Sequence, residues 1–332
     1  MKKLLAIFLA ATMLFVFASC GETSSSSNDA KTYKVGIIQY MSHPSLDNCY
    51  KGIVEGLNAS GVKCNIDYQT GSATSADSDC SNFAKQMVSN NVDIIFAIAT
   101  PAAISAYQAT DGTDIPVIFC AVSDPVAAEL VKSNEKPGDN CTGTSDVLDL
   151  SAQVDMIRAF QPNVKKIGVL YTASEVNSVS NLKRLKEICD PLGIAVEAST
   201  VQNASDIPSA ADTLASKVDC INNFTDNNVV NNLSVLLSAA NKYNIPVYGS
   251  EEEQVVNGCM ASVSIDYVAL GKVTGEMGAK VLGGEKAAEM SVKTITDATP
   301  VVNKAVMESL KITLPQNYQN ANFVTTPEKK DN

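Results

Sequence analysis

The chain has 332 residues, 45% of them hydrophobic and 18% charged, with a net charge of −11. That balance describes a globular body too long for one hydrophobic core, so two lobes are expected. The acidic excess argues against nucleic acid, or an anionic bilayer face, as a partner. With one histidine among nine cysteines and no Cys-x-x-Cys pair, a zinc site is not expected, nor any other metal or cofactor.

In chain order, the first feature is a leader. Lys2 and Lys3 precede an apolar run from Leu4 to Phe17, followed by small residues and Cys20. A run of about 14 residues is short for crossing a bilayer and has the layout of an export signal. Phe17-Ala18-Ser19-Cys20 resembles a bacterial lipobox, which implies cleavage before Cys20 and acylation of its thiol, with palmitate as one chain. Residues 1–19 are then a signal peptide. Residues 20–32, small and polar with serine at 24–27, form a flexible tether. The protein is expected on the extracytoplasmic face of the cell membrane, held by its lipid.

Strands and helices then alternate. Tyr33–Gln39 is expected as a strand, Asn48–Ser60 as a helix, Cys64–Tyr68 as a strand and Ser78–Asn90 as a helix. Val92–Ile98 follows as a buried strand, Pro101–Gln108 as a helix with proline in its first turn, and Ile115–Cys120 as a strand. The series restarts after a change-over at residues 142–150. Helix Gln153–Phe160 and strand Lys166–Tyr171 lead to helix Val179–Leu192 and strand Ala195–Ala198. Helix Ile207–Leu214, strand Val218–Asn223, helix Val229–Tyr243 and strand Ile245–Gly249 complete this half. Val263–Leu282 is expected as a strand edge running into a helix, whose Gly271, Gly275 and Gly278 allow close packing on a sheet. Alternation of this kind specifies an α/β fold, each lobe a parallel sheet flanked by helices. The eight cysteines after Cys20 are expected mostly as free, buried thiols, with a disulfide left open.

An ordered series of short motifs resembles one known family. It comprises His43-Pro44-Ser45-Leu46-Asp47, Ala99-Thr100-Pro101-Ala102-Ala103, Phe119–Val126, Thr142–Asp146, Ile167–Tyr171, Glu175-Val176-Asn177-Ser178, Thr225-Asp226-Asn227 and Asp266-Tyr267 with Leu270-Gly271. These are similar to ABC-transporter substrate-binding lipoproteins of the tryptophan/tyrosine type, over about residues 34–315. The resemblance implies a type I periplasmic-binding-protein fold, two lobes joined by three crossovers, and a small solute held in the cleft for delivery to an ABC permease and its ATPase. It implies no catalysis. Lobe 1 is expected to hold residues 33–145 and about 262–302, lobe 2 residues 146–261 and about 303–322, with a tail at 323–332.

The residues themselves place the site in the same region, because ligands of open α/β sheets bind beyond the carboxyl ends of the strands. Loops there carry Ser45, Thr100, Asp124, Asn177, Asp226, Ser250, Glu251 and Asp266 as candidate ligand contacts. Hydroxyls at helix N-termini suit an α-carboxylate, and carboxylates suit an ammonium group, so an amino acid is the expected ligand. Tyr40, Tyr171 and Phe224 are candidates to pack on an aromatic side chain. A sensing subunit of the same fold, signalling through a partner, is the alternative output.

Overall fold

The computed structural model describes residues 31–295 and 297–326. The expected leader, Cys20, most of the expected tether and the last six residues of the expected tail lie outside them. The first half runs β1 (Thr32–Gln39), α1 (Pro44–Ala59), β2 (Lys63–Thr70), α2 (Ala76–Ser89), β3 (Ile94–Ile98), α3 (Thr100–Ala109), β4 (Val117–Cys120) and β5 (Cys141–Ser145). The second half runs α4 (Leu150–Phe160), β6 (Lys166–Thr172), α5 (Val176–Cys189), β7 (Ala195–Val201), α6 (Ile207–Ala215), β8 (Cys220–Asn222), α7 (Asn227–Asn231), α8 (Leu233–Lys242), β9 (Val247–Tyr248), α9 (Glu252–Val256) and β10 (Ala261–Ser264). The chain then passes through α10 (Tyr267–Leu282), β11 (Lys293–Thr294), β12 (Thr299–Asn303), α11 (Lys304–Ser309) and β13 (Asn322–Val324).

Two sheets result. One has six parallel strands in the order β11-β5-β4-β3-β1-β2; the other has seven in the order β13-β12-β10-β9-β8-β6-β7, with β10 and β12 antiparallel. The chain crosses between the sheets three times, after β5, after β10 and after β11. The expectation that 262–302 stands wholly with the first lobe is corrected at its two ends. There β10 and β12 pair with each other in the second sheet, and only α10 and β11 stand with the first.

Central strands are buried on both faces, as parallel sheets covered by helices require. All five residues of β3 are buried, whereas the edge strand β7 is largely exposed. In the second lobe, alternate residues feed two separate cores. Val169, Tyr248 and Val302 enter one, while Leu170, Val247 and Val301 enter the other.

Glycine determines one contact. Gly52 and Gly56 of α1 meet Gly271 and Gly275 of α10, so the two helix backbones touch. A Cβ on Gly52 would stand 2.1 Å from the Val268 carbonyl oxygen, and one on Gly275 2.3 Å from that of Ile53. Only Gly278 faces the sheet, against Phe96. The glycines of α10 thus serve chiefly helix-on-helix packing, the reverse of the expected emphasis.

Local differences have local causes. α1 begins at Pro44, four residues earlier than expected, because proline is tolerated in a first turn. The expected helix 229–243 is broken at Asn232, whose side-chain amide donates to the Asn228 carbonyl at 2.8 Å. β5, of sequence Cys-Thr-Gly-Thr-Ser, has no apolar pattern to announce it, yet all five residues are buried. The eight described cysteines are free, and all but Cys64 are buried.

Candidate functional site

In lobe 1, β3 lies between β1 and β4; in lobe 2, β8 lies between β9 and β6. The loops after these strands face one another and enclose a narrow polar cavity. His43, Leu46, Ala99, Thr100, Ala121 and Ser123 line it from lobe 1. Asn177, Thr225, Asn227 and Glu251 line it from lobe 2, and Asp146 and Tyr267 from the crossovers.

The β3-to-α3 turn is strained. Ala99 has φ 80° and ψ 154°, a region almost restricted to glycine, and is held there by its N–H donating to the Cys120 carbonyl at 2.9 Å. Ala121, at the end of β4, also has positive φ, 57°. Both alanines line the cavity, where such strain is commonly kept for function. The turn presents the N-terminus of α3, whose first N–H groups have no carbonyl partner within the helix and favour negative charge.

Acidic groups face the same cavity. Asp146 accepts from Ser123 Oγ at 2.9 Å and from the Tyr267 hydroxyl at 3.1 Å; burial raises its pKa despite these donors. Glu251 accepts from Gln254 Nε2 at 3.0 Å. Burial, then the neighbouring Glu253 carboxylate, pushes its pKa up to about 8. Burial lowers the His43 pKa to about 4, so its imidazole is neutral at pH 7. His43 Nε2 stands 3.4 Å from Asn227 Oδ1, so it is assigned the proton, and Nδ1 presents a lone pair. Within the described residues, His43 Nδ1 and Asn177 Oδ1 are buried without a hydrogen-bond partner. Four residues that line the cavity thus carry acceptor groups: two carboxyl groups, one imidazole nitrogen and one amide oxygen.

Of the residues expected from sequence, Thr100, Asn177 and Glu251 line this cavity. Ser45 lies beside it, lining a broader cleft that shares His43 and Glu251. Asp226 is turned away: it caps α7 through Val229 N–H at 3.0 Å and accepts from Thr172 N–H at 2.7 Å, Thr172 Oγ1 at 2.8 Å and Ser178 Oγ at 2.7 Å. Ser250 donates to the Asn223 carbonyl at 2.8 Å. Exposed Asp266 caps α10, accepting from Val268 and Ala269 N–H at 2.8 and 3.0 Å. Asp124 accepts from Ala127 N–H at 3.0 Å and from Ser180 across the lobes.

None of the three expected aromatic walls lines the cavity. Phe224 is in the lobe 2 core, Tyr171 packs against that core, and Tyr40 is buried in the core of lobe 1. The ring that does line it is Tyr267, together with the His43 imidazole. Sequence reading missed Asp146, Ser123, Asn227 and Tyr267 as site residues, although each stands within or next to a quoted motif. Glu175 was also missed. It is buried beside the site, accepting from Asn227 N–H at 3.1 Å and Asn227 Nδ2 at 2.7 Å.

Two α/β lobes, crossed three times by the chain and meeting around a polar cavity, define a periplasmic-binding-protein type I architecture. A family model for ABC transporter substrate binding proteins matches residues 34–324, and the chain belongs to that family. It is therefore the extracytoplasmic solute-binding component of an ABC transporter, which favours transport over the sensing alternative. No described helix is long and apolar enough to cross a membrane.

A tyrosine-binding protein of Clostridioides difficile is 35% identical over 322 residues, covering 93% of this chain and 92% of that protein. The solved structure of an ABC domain in complex with L-Trp from Streptococcus pneumonia is 38% identical, with a TM-score of 0.85 over 89% of this chain and 100% of that one. The ligand-free, open structure of a substrate binding protein with adhesive properties from Clostridium difficile is 36% identical at the same coverages, but its TM-score is 0.67. At near-equal identity and coverage, the present structure thus matches the complex better than the open form.

Proposed function

We propose that the interlobe cavity takes an L-amino acid with an aromatic side chain, which the protein passes unaltered to a permease driven by its ATPase. The convergence of acceptors carries this reading. An ammonium group has three N–H donors and a positive charge, and the residues lining the cavity include Asp146 and Glu251 together with His43 and Asn177, whose Nδ1 and Oδ1 are buried without a partner. The α-carboxylate is assigned to the N-terminus of α3 and the Thr100 hydroxyl. Tyr267, Leu46 and the neutral His43 ring supply the surfaces against which a flat side chain packs. The ligands named for the two relatives, tyrosine and L-Trp, support the aromatic class. Binding and release by lobe movement need no covalent step, so no catalytic residue is assigned.

On the same reading Cys20 carries the lipid that holds the protein at the outer face of the cell membrane. Isothermal titration of the purified protein against the L-amino acids tests the ligand class. Tight binding of tyrosine or tryptophan is expected, with tyramine and the amino-acid amides weaker because they lack the carboxylate. Binding of none of the amino acids would end the proposal.

A further inference from the structure

The lobes are also joined outside the cavity, on both sides of it. On the side of β1 and β9, one carboxylate spans the gap. Glu253, in α9, accepts from Asn48 Nδ2 at 2.7 Å through one oxygen and from Ser45 Oγ at 3.2 Å through the other. Both donors lie in the first two turns of the 16-residue helix α1, where the helix dipole favours an anion. On the side of β4 and β6, Ser180 of α5 donates to Asp124 Oδ2 at 2.5 Å. Asp124 is itself fixed by its cap to Ala127 N–H at 3.0 Å. The loops after β3 and β8 lie between these two bridges and carry Thr100, Thr225 and Asn227 into the cavity. Asn48, Glu253, Asp124 and Ser180 are not among the cavity-lining residues.

We infer that Glu253 with Asn48, and Asp124 with Ser180, are paired closure clasps: positioning residues that set how firmly any ligand is held without touching it. The geometry separates two tasks. The cavity discriminates among ligands, whereas the clasps add a ligand-independent bias toward the closed state, which a ligand experiences as slower release. A charge-assisted bond from one carboxylate to two donors is the stronger clasp, and the serine–aspartate bond the weaker. The inference rests on the reading that the cavity is the ligand site.

The test compares wild type with Glu253→Ala, Asn48→Ala, Ser180→Ala and the Glu253→Ala/Ser180→Ala double variant. Asn48→Ala removes the shorter of that clasp's two bonds from its partly exposed partner, so it serves where a Glu253 variant folds poorly. Stopped-flow dissociation and titration with L-tyrosine and L-tryptophan give affinity and off-rate. Fluorescence energy transfer between dyes on the two lobes gives the closed fraction with and without these probes. The single variants are expected to release both amino acids roughly 5- to 30-fold faster, by the same factor for each, as losing one such bond implies. The double variant is expected to be the most open. A shift in tyrosine-to-tryptophan preference with an unchanged closed fraction would place Glu253 in ligand recognition and overturn the inference. Equal interlobe distance distributions in wild type and double variant, with and without the probes, would also overturn it. Failure of wild type to bind either amino acid, with the distributions still separated, would sink the ligand assignment and leave the clasps standing.

Discussion

Neutralising one carboxyl should flatten the pH dependence of ligand affinity. Glu251 faces the cavity with no cation beside it among the described residues. The groups around it are Glu253 from the helix it caps, Asp146 and Tyr267 from the crossovers, His43 and Ser45 from the start of α1, and Cys259. Burial, then the charge of Glu253, pushes its pKa from 4.5 up to about 8. In the unliganded protein at pH 6 the group is almost wholly protonated. To pair with an ammonium it must lose that proton. With a pKa of about 8, binding at pH 6 is weaker than at pH 8 by roughly 50-fold, or about 2.3 kcal/mol. Affinity therefore rises with pH over this window, while His43, at about 4, stays neutral throughout. Titration in two buffers of different ionisation enthalpy should count close to one proton released per ligand at pH 6. Glu251→Gln should bind more weakly at pH 8 and lose most of the slope. Stability of the unliganded protein carries the opposite sign. The folded state holds a proton that the unfolded state has lost above about pH 4.5, so stability is fully present below that pH and declines as pH rises through 8. Wild-type affinity that is flat from pH 6 to 8, or a slope unchanged in Glu251→Gln, would refute the pairing.

Other expectations follow from the same structure. Gly275→Ala should lower the urea midpoint by the equivalent of about 1–3 kcal/mol, since overpacking against the Ile53 carbonyl outweighs the helix propensity of alanine; a rise would show that α1 and α10 separate freely. Asp226→Ala should destabilise by about 2–4 kcal/mol, through loss of a cap and of buried partners, with affinity in the folded fraction unchanged; weakened binding at unaltered thermal stability would move Asp226 into the ligand site. Thr100→Val should weaken tyrosine about tenfold and leave tyramine, which lacks the carboxylate, unaffected, as loss of one charge-assisted bond implies; equal losses would remove the carboxylate assignment. Cys20→Ala should shift the protein out of the membrane fraction, as read by immunoblot of fractionated cells; unchanged membrane retention would exclude the lipid anchor.

The site was partly legible because loops after parallel strands announce themselves. Thr100 follows an apolar strand and precedes a helix-starting proline, and Asn177 and Glu251 occupy equivalent turns. Asp226 occupies such a turn too, and nothing in its local sequence distinguishes a capping carboxylate from a ligand-facing one. The difference is which way the side chain turns, and Thr172 and Ser178, 54 and 48 residues away, decide that. Asp146 and Tyr267 were overlooked for a related reason. They sit 121 residues apart on separate crossovers and become a pair only when the chain returns between the lobes.

Local chemistry in the sequence determined the alternation of strands and helices, the two-lobed α/β class and the region where a ligand would bind. Each follows from periodicities and turn residues acting over a few positions. Tertiary structure alone decided that β10 and β12 join the second sheet, that Glu253 reaches across to α1, and that buried acceptors share one cavity. These depend on side chains far apart in the chain entering a common low-dielectric space, where an unpaired polar atom must find a partner.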